Sequence, residues 1–113
     1  MARKCSFYSL SRCNDGIRYL KREGFTVPND FNLDLAIYKT VDTNSDYAGK
    51  DGVVWHVVDT DCGLSIGSGP TRGFAIEEAF DRLENTGMDT YKLKAKLAVD
   101  TYGTPPNKQI FYL

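Results

Sequence analysis

Three positions in the chain contain residue types that could do chemistry. The glycine-rich segment 67–73 precedes a predicted helix, and free backbone N–H groups in such a loop can bind an anion. The segment lacks the lysine of a P-loop, so an ordinary strand-to-helix turn is the alternative. His56 and Cys62 are suited to acid–base or nucleophilic chemistry, but the sequence places no catalytic partner beside either. We therefore predict that the protein is not an enzyme.

The segment Asp42-x-Asn44-x-Asp46 has the spacing of the first ligands in an EF-hand calcium loop. Tyr47 occupies the position where that loop requires glycine, and Val53 occupies the position of its closing glutamate. These two departures remove the sharp turn and the bidentate ligand. We expect a solvated turn here, and we predict neither a metal site nor a cofactor.

Acidic residues are concentrated between the predicted strands. Residues 25–62 contain seven aspartates and two lysines, a net charge of −5. Since these aspartates occupy successive strand connections, we expect several of them to cluster with Tyr47 at one end of the sheet. Such a surface would attract a basic protein partner, and a merely solvated rim is the alternative. The candidate partner-binding residues are Asp42, Asp46, Tyr47, Asp51, Asp59 and Asp61.

The N-terminal segment has the opposite charge. Residues 1–24 contain six Lys or Arg residues and two acidic residues, a net charge of +4. A helix is predicted at 14–23, with Asn14 as N-cap, Ile17 and Leu20 facing inward, and Gly24 after its end. Its outward face could bind nucleic acid together with the start of a later helix. The candidate nucleic-acid-binding residues are Arg18, Lys21, Arg22 and Arg72.

The remaining elements follow from hydrophobic periodicity. Apolar and polar residues alternate over 31–41, and β-branched residues dominate 53–59, so both segments are predicted strands. A third strand begins at residue 64, and short connections favour antiparallel pairing. Helices are predicted from the Thr71 N-cap to Gly87 and from Asp89 to Gly103. In the last helix the residues expected to face inward are Leu93, Leu97 and Ala98.

The predicted fold is α+β in the order α-β-β-β-α-α, with a three-stranded antiparallel sheet packed on helices and an apolar C-terminal tail. Residues 1–113 form one predicted domain, with an αβββα core at 14–85 and an extra helix and tail at 88–113. The tail is expected to add a strand or to dock on the core. No segment has the roughly 18 apolar residues that span a membrane. The first residues are charged and no apolar stretch follows them, so we expect no secretory signal. The three cysteines lack paired spacing, and we expect free thiols in the cytoplasm.

The order of elements and the segment Gly67-x-Gly69-x-Thr71-Arg72, with small residues at 75 and 79, resemble the double-stranded RNA-binding domain over about residues 14–85. The resemblance implies a helix start that binds phosphates of A-form RNA. Arg72 fills the first basic position of that family's pattern. Gly73 and Ile76 occupy the other two, and two glutamates follow. Losing two phosphate contacts predicts much weaker RNA binding.

We therefore hypothesise a small, non-enzymatic protein-interaction module that binds a basic partner through the acidic connections. The chain has the general character of a small phage-encoded protein, so an inhibitor of a host nucleic-acid-handling complex, such as a CRISPR effector, is one specific form of this hypothesis. The alternative is binding of double-stranded RNA or another nucleic acid through the basic residues. An exposed edge strand or the C-terminal tail could support a homodimer.

Overall fold

The computed structural model describes residues 2–106 and 111–112 and shows an α+β fold. Five strands precede two helices, and a short strand follows them. Strands pair antiparallel in the order β5-β4-β3-β2-β1-β6. The elements are β1 (Lys4–Cys13), β2 (Gly16–Val27), β3 (Leu35–Val41), β4 (Val53–Asp59), β5 (Ser65–Gly69), α1 (Arg72–Thr86), α2 (Met88–Tyr102) and β6 (Phe111–Tyr112).

The predicted N-terminal helix and the three-stranded sheet are both wrong. Residues 4–27 form a long β-hairpin, in which Cys13 pairs with Gly16 across a two-residue connection. The residues Asn14, Asp15 and Gly16 are typical of a hairpin turn. Gly16 adopts a positive φ of 120°, a conformation that favours glycine. The helix prediction rested on Asn14 and Gly24 as end signals and on the spacing of only two apolar residues, Ile17 and Leu20. The three strands that the sequence did predict are β3, β4 and β5 of the larger sheet.

The hairpin is joined to the rest of the sheet over a short distance. Only Phe25–Val27 of β2 pair with β3. At Gly24 a Cβ atom would lie 1.8 Å from the Ile37 carbonyl oxygen, so only glycine allows the two backbones to approach this closely. The far half of the hairpin reaches the β4–β5 turn, where the Leu10 N–H donates a 2.8 Å hydrogen bond to the Gly63 carbonyl. The hairpin therefore bends across the face of the sheet that is opposite the helices.

Because side chains alternate between the two faces of a strand, β3 and β4 contribute to two separate cores. On one face both helices pack against the sheet, and on the other the hairpin does. The first core contains Val27, Leu35, Ile37, Val57, Ile66, Ala75, Ala79, Leu83 and Tyr91. The second core contains Cys5, Phe7, Ala36, Tyr38 and Val58. A strand is thus present where alternation predicted one, but it begins at Leu35 rather than at residue 31, and Leu35, Ala36, Ile37 and Tyr38 are all buried, so it is buried on both faces instead of one.

Helix α1 begins as predicted. The Thr71 hydroxyl accepts a 3.1 Å hydrogen bond from the Phe74 N–H and caps the helix. Of the glycine-rich segment 67–73, residues 67–69 belong to strand β5 and residues 72–73 already belong to α1. A Cβ atom at Gly67 would lie within 3 Å of both Ala75 and Ala79, so this glycine allows α1 to pack closely on the sheet. Close packing, rather than an anion cradle or a positive φ, is what this position requires.

Helix α2 is present, but its orientation differs from the prediction. Tyr91 and Ala98 are buried, whereas Leu93 and Leu97 are 65% and 64% exposed. Tyr91, Ala95 and Ala98 follow the i, i+4, i+7 spacing and together form the face that packs on the body of the protein. The prediction included Ala98 correctly, but it placed Leu93 and Leu97 inward and did not include Tyr91 and Ala95. Neither described helix combines the length and apolar character that crossing a membrane requires.

The C-terminal tail adds the short strand β6, as expected for an apolar tail. Cys5 pairs with Tyr112 and Ser6 with Phe111. The Arg3 guanidinium lies 3.9 Å from the centre of the Tyr112 ring, which is a cation–π contact. The other apolar residues of the predicted tail, Ile110 and Leu113, lie outside the described residues.

Candidate interaction surface

The structure separates the predicted acidic cluster into two groups. Val41 pairs with Val53 at one end of the β3–β4 ladder, and Leu35 pairs with Asp59 at the other end. Asp42, Asp46 and Asp51 follow the first end, whereas Asp59 and Asp61 lie at the second, roughly 20 Å away along the strands. Successive connections of an antiparallel sheet alternate between its two ends, which the sequence argument overlooked.

Asp59 is a structural residue and not part of an exposed surface. It is buried, and its carboxylate accepts a 2.6 Å hydrogen bond from the Tyr91 hydroxyl and one of 3.1 Å from the Asp61 N–H. Burial, with a further contribution from the Asp59 charge, raises the pKa of Tyr91, so its phenol remains the donor. Asp59 therefore fastens α2 and the β4–β5 turn together, while Asp61 lies exposed in that turn.

The loop 42–52 presents the other three aspartates in a defined conformation. Its two ends are joined by a 2.8 Å hydrogen bond from the Asp42 N–H to the Gly52 carbonyl. Oδ1 of Asp42 accepts from the Asn44 N–H, and Oδ1 of Asp51 accepts from the Val53 N–H, both at 3.1 Å. The backbone bonds fix the carboxylates in place while these side chains remain exposed. The loop is thus preorganised, although no regular element spans it.

Tyr47 is the aromatic residue of this loop, and 58% of its surface is exposed. Its N–H donates a 3.1 Å hydrogen bond to the Ser45 hydroxyl, so the backbone that carries the ring is held in place. Asp46 precedes it and is also exposed. Loop 42–52 therefore combines three carboxylates with an exposed aromatic ring, as the sequence predicted for this part of the cluster.

A second acidic surface, which was not predicted from the sequence, lies on α1 beside this loop. A Cβ atom at Gly49 would lie 3.3 Å from the Pro70 carbonyl oxygen, so the loop lies against the residue that precedes the helix cap. From there α1 presents Phe74, which is 52% exposed, and a row of carboxylates at the i+3, i+4 and i+7 positions. We call loop 42–52 and this row the acidic face. Its members are Asp42, Asp46, Tyr47, Asp51, Phe74, Glu77, Glu78 and Asp81.

A signal for the α1 row was present in the sequence. Phe74, Glu77, Glu78 and Asp81 repeat on the helix face opposite the buried positions 75, 79 and 83. Glu78 forms a 3.1 Å salt bridge with Arg82, which neutralises one of the negative charges of this row. Exposed ion pairs of this kind contribute little energy, so a basic side chain of a partner protein could displace Arg82 from Glu78.

The predicted basic surface does not form. In a strand, Arg18 and Arg22 point to one side of the hairpin and Lys21 points to the other. Arg18 lies near the hairpin turn, where its guanidinium is 3.5 Å from the Asp15 carboxylate. Arg22 is half-buried, with its guanidinium 4.7 Å from the centre of the Tyr38 ring.

Arg72, the fourth predicted basic residue, lies on the helix side of the sheet. Its guanidinium lies 4.4 Å from the Phe25 ring centre and 4.9 Å from the Trp55 ring centre. These contacts hold the Arg72 side chain on the sheet rather than beside the hairpin arginines. The structure therefore does not bring the four candidate nucleic-acid-binding residues together.

His56 lies in a polar network between the hairpin and the sheet. Its Nε2 is 2.9 Å from the Thr40 hydroxyl, its Nδ1 is 3.2 Å from the Ser68 hydroxyl, and its ring stacks on Tyr38 at 4.9 Å. Burial, and secondarily the Arg22 charge, lower the pKa of His56, so the ring is neutral at pH 7. A neutral imidazole satisfies both hydroxyls, donating from one nitrogen and accepting at the other.

Cys62 belongs to a different part of the molecule from His56. It is buried in the β4–β5 turn, next to Asp59 and Tyr91. Burial and the Asp59 charge raise the pKa of Cys62 to about 11, so its sulfur is a thiol at neutral pH. The histidine and this cysteine therefore do not form a catalytic pair. All three cysteines are free.

Across residues 2–106 and 111–112, no three His, Cys, Asp or Glu side chains are grouped so that they could hold a metal ion. The Asp42 carboxylate, a first ligand in the calcium-loop pattern, instead caps its own turn. Comparisons with protein-family models, with curated proteins and with solved structures find no match to this chain. The acidic face is therefore the feature of the molecule from which a function can be inferred.

Proposed function

We propose that the protein is a non-enzymatic interaction module that binds a basic surface of a partner protein through its acidic face. The observation that carries this proposal is the position of loop 42–52 beside the start of α1. This position extends the exposed carboxylates of the loop toward the row on α1. Two exposed aromatic rings, Tyr47 and Phe74, lie among these carboxylates.

The two kinds of side chain have different roles in such an interface. Carboxylates attract a basic partner from a distance and raise the rate of association. Aromatic rings supply the buried contact area that slows dissociation, and they do so at low entropic cost because they have few rotatable bonds. Since loop 42–52 is closed by its own backbone hydrogen bonds, little ordering is required when it binds.

The partner class follows from the same chemistry. Extended basic surfaces with room for stacking rings occur on proteins that hold nucleic acid, because phosphates require cations and bases require flat contacts. A protein whose acidic face occupies such a surface would compete with the nucleic acid. In its specific form, the proposal is therefore an inhibitor of a nucleic-acid-handling complex, such as a CRISPR effector, encoded by a phage or another mobile element.

The test uses charge reversal at one end of the sheet, with a matched control at the other end. The test variant is Asp42→Lys, Asp46→Lys, Asp51→Lys. The control is Asp30→Lys, Asp34→Lys, Asp61→Lys, which makes the same charge change at exposed positions in the β2–β3 and β4–β5 connections. Tagged wild-type protein and both variants are used as bait in a host lysate, with and without nuclease, after circular dichroism confirms that each is folded.

We expect the wild-type protein and the control to retain the same stoichiometric protein after nuclease treatment, and the test variant to lose it. If the test variant captures as much of this partner as the wild-type protein does, loop 42–52 is not part of the binding surface. Recovery that disappears with nuclease would instead support direct nucleic-acid binding, which requires affinity that falls steeply with salt.

A further inference from the structure

Two cations, Lys39 and Arg72, lie beside one tryptophan ring on the helix side of the sheet. The Lys39 ammonium is 5.6 Å and the Arg72 guanidinium 4.9 Å from the centre of the Trp55 ring. The guanidinium is also 4.4 Å from the centre of the Phe25 ring. These two rings stand on β2 and β4, and each of those strands pairs with β3. A group that contacts both rings therefore lies over β3, the strand that carries Lys39.

No acidic side chain neutralises this pair of cations. Within residues 2–106 and 111–112, neither cation forms an ion pair or donates a hydrogen bond. The first turn of α1 contains no acidic residue. Glu23 would lie opposite Lys39 if the β2–β3 ladder continued, but that pairing ends at Phe25. Two like charges beside one ring repel each other, and a bound anion would relieve this repulsion.

The surroundings of the two cations select the kind of anion. A guanidinium that stacks on aromatic rings keeps its N–H groups at its edge, where they match the two oxygens of a carboxylate. The adjoining loop 42–52 contains three aspartates and one lysine, a net charge of −2. An extended polyanion would be repelled by this loop, whereas a single carboxylate would not have to pass it. Val41, on the same face of β3 as Lys39, is 76% exposed and offers an apolar contact beside the cations.

We propose that Arg72 and Lys39 bind an aspartate or glutamate side chain that an apolar segment of a partner protein carries. Arg72 takes both carboxylate oxygens, Lys39 adds a second positive charge, and an apolar neighbour of the acidic residue covers Val41. The site contains none of the carboxylates of the acidic face. It therefore does not depend on the proposed function.

The chain contains a single tryptophan, so the fluorescence of Trp55 reports on this site directly. The full chain is titrated with a short blocked peptide that carries one glutamate between two leucines, and with the same peptide carrying glutamine instead. We expect saturable binding of the glutamate peptide only, with a Kd in the millimolar range because so small a ligand makes few contacts. Added salt should weaken this binding, because the groups that form the contact are charged and exposed.

Variants identify the residues that bind the peptide. Arg72→Gln and Lys39→Gln should each raise the Kd of the glutamate peptide about tenfold, the effect of losing one charge-assisted contact. Arg82→Gln removes the same charge from another exposed arginine of α1 and should bind as the wild type does. Equal binding of the two peptides by the wild-type protein would overturn the proposal, and so would unchanged binding by Arg72→Gln.

A single-stranded oligouridylate, titrated in the same way, tests the other class of anionic partner. If it binds more tightly than the glutamate peptide, the two cations serve nucleic acid and the carboxylate proposal is wrong. The variant Asp42→Lys, Asp46→Lys, Asp51→Lys, which tests the acidic face, should still bind the glutamate peptide, because it leaves both cations in place. The failure of one proposal is therefore distinguishable from the failure of the other.

Discussion

The Tyr91 hydroxyl lies 2.6 Å from Oδ2 of Asp59, and this hydrogen bond joins the first turns of α2 to the end of β4. Both side chains are buried, so the donor cannot be replaced freely by water. The carboxylate also accepts from the Asp61 N–H and thereby shapes the β4–β5 turn. An aspartate that the sequence suggested as a partner contact is thus part of the internal framework.

Replacing Tyr91 with phenylalanine keeps the ring but leaves the Asp59 carboxylate without this donor. We expect the free energy of unfolding to fall by about 1–3 kcal/mol, since a buried charged acceptor is left under-satisfied. Urea denaturation followed by circular dichroism measures the change. Tyr102→Phe, at a half-exposed position on the same helix, is the control and should have little effect. If Tyr91→Phe and Tyr102→Phe unfold at the same urea concentration, this role for Tyr91 is wrong.

Gly24 and Gly73 should respond in opposite ways to alanine. At Gly24 the new methyl group would collide with the Ile37 carbonyl, and we expect a loss of roughly 3 kcal/mol or more. At Gly73, within α1, no atom lies within 4 Å of the new methyl group. That change should stabilise the protein by up to about 1 kcal/mol, because alanine favours the helix. Thermal unfolding of the two variants gives both values, and a tolerated Gly24→Ala would show that the hairpin does not cross β3 so closely.

The stability of the protein should depend on pH through His56. Its pKa in the folded state lies below the ordinary value of 6.5, so the unfolded chain takes up the proton first as pH falls. Unfolding is therefore favoured progressively below pH 6.5, until the pH passes the folded-state pKa and the effect levels off. Urea titrations at a series of pH values should show this decline in the wild type. His56→Gln, which cannot titrate, should lack this component, and parallel curves for the two proteins would rule it out.

The three cysteines should differ in reactivity. Cys5 and Cys62 are buried, and the raised pKa of Cys62, about 11, keeps it protonated near neutral pH. Cys13, beside the hairpin turn, is partly exposed. A colorimetric thiol reagent at neutral pH should therefore modify one thiol rapidly and the other two only after denaturation. Cys13→Ser should remove the rapid phase, and a rapid phase that remains would show that the hairpin opens in solution.

Tyr47→Ala tests the division of roles within the acidic face. Once the partner is identified, we expect this variant to dissociate faster while its association rate changes little. Reversal of Asp46 should do the opposite, slowing association most strongly at low salt. Surface plasmon resonance at two salt concentrations separates the two rates. Tyr112→Ala, at a similarly exposed ring on β6, is the matched control.

The elements that the sequence predicted well are those whose local pattern agrees with their final environment. β4 and α1 lie where β-branched density and the Thr71 cap placed them, and alternation located β3. The hairpin was missed because Ile17 and Leu20 fit a helical spacing, while the competing turn signal lies in residues 14–16. Local spacing cannot decide between the two when so few apolar residues are involved.

The candidate site was predicted only in part, for a different reason. Loop 42–52 was identified correctly as an acidic segment with an exposed tyrosine, since its composition alone indicates exposure. Which charges lie together depends on the direction of each strand, and this separated Asp59 and Asp61 from the loop. The fold also places the row of carboxylates that begins at Phe74 on α1 beside loop 42–52, because Gly49 lies against Pro70.

The bend of the hairpin across the sheet has a consequence for how the chain folds. Leu10 is held by Gly63, and the Tyr19 hydroxyl lies 2.5 Å from the Gly103 carbonyl, a contact that spans 84 residues. The hairpin itself needs only local pairing and can form within microseconds. The Leu10 contact also requires the β4–β5 turn, and the Tyr19 contact also requires the end of α2. We therefore expect the tip of the hairpin to be fully docked only when elements far from it in the sequence have formed.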